Sequence, residues 1–190
     1  MKTLITRTLT NSLKMLMLVM VLSACGQSTE SNSDSNKPKA PKIDLHAVTI
    51  SGNLDAVKQH IAAGSDLNVA DPFGGSSPLI TAALFGKTEI AKALIDAGAD
   101  INFTNKEGST ALITASFFGR EDIVKLLLEK GADKTIVNQY GSTAMASVTA
   151  PFEDVKGVYQ MMETQLGPMG LSIDYAKLEA SRPVIAELLK

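Results

Sequence analysis

The sequence predicts an all-α solenoid, made by stacking one short helix–turn–helix unit about five times along residues 42–190. Three observations predict it. Gly75, Gly108 and Gly141 recur at one constant interval, and the pairs Gly86/Gly119 and Gly98/Gly131 share it. Whole segments superpose at that spacing, Gly75-Ser76-Ser77-Pro78-Leu79-Ile80-Thr81-Ala82-Ala83 on Gly108-Ser109-Thr110-Ala111-Leu112-Ile113-Thr114-Ala115-Ser116. Within each block, a hydroxyl at the cap position (Ser77, Thr110) precedes an apolar run, and a glycine follows it, as a short helix with defined ends requires. A fixed period of this length marks a repeat architecture.

Residues 1–24 are expected to lie outside that fold. Lys2, Arg7 and Lys14 make a basic leader, Met15–Leu22 is an unbroken apolar run, and Ser23-Ala24 supplies small residues before Cys25. This is the pattern of a secretory signal, and the run is short of the roughly 20 residues that span a bilayer. Leu22-Ser23-Ala24-Cys25 resembles the lipobox of bacterial lipoproteins. That resemblance implies that Cys25, the single cysteine, is acylated (palmitate among its lipids) and becomes the mature N-terminus. Gly26 stands where an aspartate would favour the inner membrane, so the resemblance implies the outer membrane, facing the periplasm. Residues 25–41 are polar and contain Pro38 and Pro41. They bury too little apolar surface to fold, and read as a tether of roughly 20–25 Å. From Cys25 onward fifteen basic residues oppose twenty acidic ones, a net charge near −5. That disfavours nucleic acid and anionic lipid as partners, which need basic patches.

The repeats then follow at about 43–70, 71–104, 105–137, 138–166 and 167–190. Pro78 suits the first turn of a helix, where its missing N–H costs nothing. Ala82-Ala83 and Ala115-Ser116 are small, which lets neighbouring helices approach. Ile90, Leu94 and Ile95, then Ile123, Leu126 and Leu127, recur at helical spacing on the second helix of each unit. These blocks resemble ankyrin repeats, whose Thr-Pro-Leu-His-x-Ala-Ala-x-x-Gly and Gly-Ala-Asp motifs are nearly complete in the second and third copies. The first copy keeps Leu45-His46, Gly52, Gly64, Asp66 and Asn68. Its glycines fall one position too early for the period, because Asp71-Pro72-Phe73-Gly74 carries one extra residue. The fourth copy keeps Gly141-Ser142-Thr143-Ala144-Met145, then a longer helix near Phe152–Leu166 without Gly-Ala-Asp. Leu171–Lys177 and Val184–Leu189 read as a degenerate fifth copy.

The residues offer little for chemistry. Of the two histidines, His46 stands at the repeat's own histidine position, which the resemblance assigns to bracing a neighbouring turn. His60 reads as a partly exposed residue at the edge of the terminal cap. No grouping has metal-ligand spacing, no phosphate-cradling loop occurs, and no cofactor is expected. Glu121-Asp122 opens a helix, where negative charge suits the helix dipole. The expected function is therefore a membrane-anchored module that binds, scaffolds or inhibits another protein, touching the membrane through its lipid alone. The alternative is a small enzyme or ligand binder in the irregular stretch 150–170, with Glu153, Asp154, Lys156 and Glu163.

In ankyrin proteins partners contact the hairpin tips and the edges of the first helices. That resemblance points to Leu84-Phe85 and Phe117-Phe118, the residues before Gly86 and Gly119, and to Phe73, Phe103, Lys106, Glu107, Gln139 and Tyr140 at the tips. With no tryptophan and nine aromatics in all, such clustering is informative, because aromatic residues dominate interface energetics. Leu84, Phe85, Phe117, Phe118 and Tyr140 are expected to form one exposed strip, rimmed by Lys106 and Glu107. The alternative, equally open for Phe85 and Phe118, is that some of these rings pack between neighbouring repeats and stabilise the stack.

Overall fold

The structure is a computed structural model and describes residues 38–190. The leader at 1–24, the lipobox with Cys25 and the tether up to residue 37 lie outside the described residues. Among the described residues there are nine α-helices and no strand. They are α1 Leu45–Ser51, α2 Leu54–Ala63, α3 Pro78–Leu84, α4 Thr88–Asp96, α5 Ala111–Phe117, α6 Glu121–Glu129, α7 Ala144–Thr149, α8 Phe152–Leu166 and α9 Tyr175–Leu188. No helix among them is long and apolar enough to cross a membrane.

The expected caps are in place. The Ser77, Thr110 and Thr143 hydroxyls accept the backbone N–H of Ile80, Ile113 and Ala146, opening α3, α5 and α7. Asp44 and Asn53 do the same for α1 and α2. First helices pack on first helices along the series α1–α3–α5–α7, second helices pack on second helices along α2–α4–α6, and each pair closes on itself. One continuous core fills the space between the two layers. Leu79, Ala82, Ala83, Ala91, Leu94, Ala115, Ile123, Val124 and Leu127 are fully buried in it. The alanines set the close spacing of the first helices, and the branched residues of α4 and α6 supply the apolar bulk.

Polar ladders tie one repeat to the next. Asn68 accepts the N–H of Asp100 at 2.8 Å, and Asn102 accepts that of Asp133 at 2.9 Å. The third position in this series is Thr135, which turns back onto its own Asp133. His46 braces the first and second repeats: its Nε2 donates to the Val69 carbonyl at 2.9 Å, and its Nδ1 pairs with the Thr81 hydroxyl at 3.2 Å. His60 differs from the expectation of partial exposure. It is buried, its Nε2 donates to the Ile43 carbonyl at 2.8 Å, and its Nδ1 pairs with Ser65 at 3.0 Å. The imidazole thus pins the segment leading into α1 onto the terminal cap. On the surface, Asp96 bridges Lys92 of its own helix and Lys130 of the next repeat, at 2.8 Å from the latter. The two ammonium groups hold its carboxyl down at about 2.

The C-terminal region departs from five copies in a row. α9 packs against α7 and α6, the place that the second helix of the fourth repeat should occupy. Its buried Ser181, Arg182 and Ile185 repeat the spacing of Ile123, Val124 and Leu127 on α6. Lys87 lies over Gly52, Arg120 lies over Gly86, and Leu178 and Ser181 lie over Gly119. The stretches at 138–166 and 167–190, expected as separate copies, therefore make one repeat. α8 and a 3-10 turn at Gly167–Met169 form an insertion between its two helices. Lys134 ties the end of α9 to the third repeat, donating to the Leu189 and Lys190 carbonyls at 3.0 and 2.9 Å. Such a cation suits the carbonyl-rich end of a helix.

Candidate protein-binding surfaces

The residues expected to form one exposed strip separate into two places. The first lies at the C-terminal ends of α3 and α5. Leu84, Phe85, Phe117 and Phe118 are neighbours there, as the repeat period requires. They are not a free surface. Together with Phe152, Val155, Tyr159, Met162 and Leu166 of α8, and Leu171 and Leu178 beyond it, they form a second apolar cluster. Phe118 is only 6 % exposed and Tyr159 is fully buried. The Tyr159 ring stacks on Phe117 at 4.4 Å between centroids and meets Phe118 edge-on at 6.1 Å. The expected exposed strip is corrected accordingly: the inserted helix covers it. Its large apolar residues would leave water in either case, and the chain supplies its own cover.

A polar chain runs through this cluster. Tyr159 donates to the Phe117 carbonyl at 2.6 Å and accepts from Arg182 at 3.2 Å, while Arg182 also donates to the Ala150 carbonyl. Arg182 is buried and lies 5.8 Å from the Phe152 ring centroid. Burial pushes the Tyr159 hydroxyl up to about 12, against the pull of the Arg182 charge, so it acts as a hydrogen-bond donor at all physiological pH values. Neither residue was singled out in the sequence. The available signal was the spacing of Phe152, Val155, Tyr159, Met162 and Leu166 (3, 4, 3, 4), which marks an apolar stripe on a helix with one face to bury.

The second place is the row of hairpin tips. Asp71, Asn105 and Asn138 open equivalent turns, and the side-chain oxygens of each accept backbone N–H groups across the turn. Neighbouring turns are joined by Lys106 N–H to the Gly74 carbonyl at 3.0 Å and Gln139 N–H to the Glu107 carbonyl at 2.9 Å. Lys106 Nζ also donates to the Pro72 and Phe73 carbonyls, and Gln139 Nε2 donates to the Lys106 carbonyl. On this braced ridge Phe73 is 90 % exposed and Tyr140 is 72 % exposed. Lys106 and Glu107 lie exposed between them. Phe103 does not join the ridge, because it is half-buried and packs on the main core.

The stretch 150–170 holds no convergent set of ionisable groups. Glu153 pairs with Lys156 on the exposed side of α8. Glu163 accepts the Ile173 N–H and the Tyr175 hydroxyl, fastening the loop that leads to α9. A cleft of about 360 Å³ opens elsewhere, between the starts of α6 and α9, beside Arg120, Glu121, Asp122, Asp174 and Lys177. The mixed signs of its lining favour no charged ligand. Among the described residues no group of three or more His, Cys, Asp or Glu could hold a metal.

Comparison with known proteins agrees with this geometry. The family model for ankyrin repeats, in three copies, matches residues 45–138. The ankyrin repeat domain of Bcl-3, a member of the IkappaB protein family, superposes with a TM-score of 0.53 at 29 % identity, over 54 % of this chain and 45 % of that one. This chain contains ankyrin repeats, and its fold is an ankyrin solenoid. Human protein phosphatase 1 regulatory subunit 27 is 41 % identical over 34 % of this chain and 41 % of its own length. Mouse protein phosphatase 1 regulatory subunit 12A is 36 % identical over 40 % of this chain and 7 % of its own. The match thus spans less than half the length of these curated relatives. The ankyrin fold and the regulatory subunits among these relatives point to interaction with another protein.

Proposed function

We propose that this chain is a lipid-anchored binding module that holds an envelope protein against the ridge of its hairpin tips. The observation that carries the reading is the pair Phe73 and Tyr140, whose rings face solvent on turns fixed by side-chain and inter-turn hydrogen bonds. Aromatic rings on a rigid backbone lose little entropy on binding, and Lys106 and Glu107 between them supply a polar rim. The regulatory subunits among the relatives support a role in which one protein modulates another by holding it. Acylation of Cys25 and an outer-membrane, periplasm-facing location rest on Leu22-Ser23-Ala24-Cys25 and Gly26, as read from the sequence.

Two measurements test it. Mass spectrometry of the membrane fraction should find a chain that begins at a lipid-modified Cys25, and an unmodified cysteine behind an intact leader removes the anchor. Crosslinking capture from envelope extracts should fall at least about tenfold for Phe73→Ala combined with Tyr140→Ala, since losing an interface anchor typically costs about 2 kcal/mol or more. Unchanged capture by a folded double variant removes the tip ridge as the site.

A further inference from the structure

α8 is a helix that the repeat architecture does not require. α9 completes the fourth repeat by packing on α6 and α7, and α8 lies between α7 and α9 in sequence as an addition. Its inward stripe, Phe152, Val155, Tyr159, Met162 and Leu166, sits on a floor of Leu84, Phe85, Phe117 and Phe118. This is the geometry of an amphipathic helix laid in an apolar groove, with anchors about one turn apart. The seated helix shows what the groove accepts: an aromatic ring stacked on Phe117, whose hydroxyl reaches the last-turn carbonyl of α5.

α8 is also loosely held compared with its neighbours. Of its fifteen residues only Tyr159 is buried, whereas six of the seven residues of α3 are. Pro151 at its start offers no side-chain cap, and a Cβ added at Gly157, near its middle, would meet nothing within 4 Å. Val158 and Met161 on its outer side are exposed. Elements with few buried contacts open at lower free energy than the fold as a whole. Lifting α8 would take from the Phe117 carbonyl and the Arg182 guanidinium the Tyr159 hydroxyl that now joins them.

We propose that the groove at the ends of α3 and α5 is a second binding site, for an amphipathic helix of a partner protein, and that α8 occupies it in cis until such a helix competes. The partner helix carries apolar residues at the same 3-4-3-4 spacing, with a tyrosine or phenylalanine at the centre. A competitor must bind the open form better than α8 does, so the closed form lowers the partner's apparent affinity by the closed-to-open ratio.

The test uses a fluorescein-labelled synthetic peptide of residues 150–170 as the helix probe. The protein is the full mature chain, unaltered or with Phe152→Ala and Tyr159→Ala together. The double variant should keep its cooperative melt and bind the peptide at least tenfold more tightly than the unaltered chain. Phe73→Ala with Tyr140→Ala should leave peptide binding unchanged, which separates this site from the tip ridge. A folded double variant that ignores the peptide overturns the proposal. So does a double variant that cannot fold, because α8 would then be part of the solenoid itself. Native-state hydrogen exchange on the unaltered chain gives an independent reading. α8 amides should exchange faster than those of α5, and equal protection of the two helices overturns the proposal. A dimer of the unaltered chain that disappears with Tyr159→Ala would assign the groove to a second copy and also overturn it.

Discussion

Residues 71–137 and residues 138–190 build the same two-helix layers by different routes. In the second and third repeats each first helix passes through a glycine directly into its second helix. In the fourth, Leu178 stands over Gly119 as Arg120 stands over Gly86. One period beyond Arg120 the sequence reaches only Glu153, so a segment as long as 153–177 is inserted between the two helices. The layer tolerates this because each repeat touches only its neighbours. What must be kept in space is the contact at the glycine and the buried spacing on the second helix, and the path of the chain between them is free. The inserted length then changes the surface. Arg120 donates to the Leu84 carbonyl at 3.2 Å, whereas one period on, the Phe117 carbonyl receives the hydroxyl of Tyr159, from the insertion.

The largest expected effect lies where the two routes meet. Phe118 is buried under α8 and α9, and Phe73 on the tips is exposed. Phe118→Ala should cost about 3–5 kcal/mol, as for a packed core phenylalanine, and Phe73→Ala should stay within about 0.5 kcal/mol. Urea denaturation of both variants decides the matter. Equal effects would mean that the second cluster contributes nothing to the fold.

Sequence and structure agree on the regular repeats because every constraint there is local. The cap hydroxyl, the small packing residues and the terminal glycine all fall inside one period. The insertion was not legible for the opposite reason. The sequence predicts a helix near Phe152–Leu166 and the structure has it, but sequence order is not stacking order, and nothing local says that the next helix skips a layer. The one sign was its length, fifteen residues against nine in α4 and α6; that Ser181, Arg182 and Ile185 take the places of the α6 residues shows only in their burial. The site was half legible. Periodicity made Leu84-Phe85 and Phe117-Phe118 neighbours, but it does not say what lies above them. The tip residues Phe73 and Tyr140 were legible because a tight turn leaves little beyond it to bury a ring.

A smaller effect sharpens the comparison at one atom. Gly119 and Gly131 both have positive φ, 66° and 82°. A methyl group at Gly119 would meet Leu178 Cδ1 at 2.8 Å and crowd the Ser181 hydroxyl, whereas at Gly131 nothing lies within 4 Å. Gly131→Ala carries only the left-handed backbone cost of about 1–2 kcal/mol. Gly119→Ala adds overpacking of about 1–3 kcal/mol, so it should lower stability further and loosen the docking of α9. Thermal melts, with hydrogen exchange in α9, measure both. Equal melts for the two variants would show that α9 does not close the fourth repeat at Gly119.

The smallest effect separates the first hairpin turn from the two that follow it. Asn105 and Asn138 each use one side-chain oxygen to accept two N–H groups. Asp71 spans a turn one residue longer and uses both oxygens: Oδ1 accepts from Phe73 and Gly74, and Oδ2 accepts from Ser76 at 2.6 Å. An asparagine at this position would turn an NH2 toward the Ser76 N–H and lose that bond. Burial by itself would raise the Asp71 carboxyl, but the N–H groups of Gly74, Ser76 and Phe73 outweigh it and hold it below the ordinary 3.8. A carboxyl lowered in the folded state stabilises the fold above its unfolded pKa, and that contribution is lost as pH falls through the folded value. Asp71→Asn should therefore cost about 0.5–1.5 kcal/mol at neutral pH, the worth of one hydrogen bond. The difference from the unaltered chain should shrink as pH falls below about 4. Urea midpoints for the two chains at neutral pH and in mild acid measure it. A difference that is constant with pH would mean that the carboxylate charge plays no part in the turn and that only its shape matters.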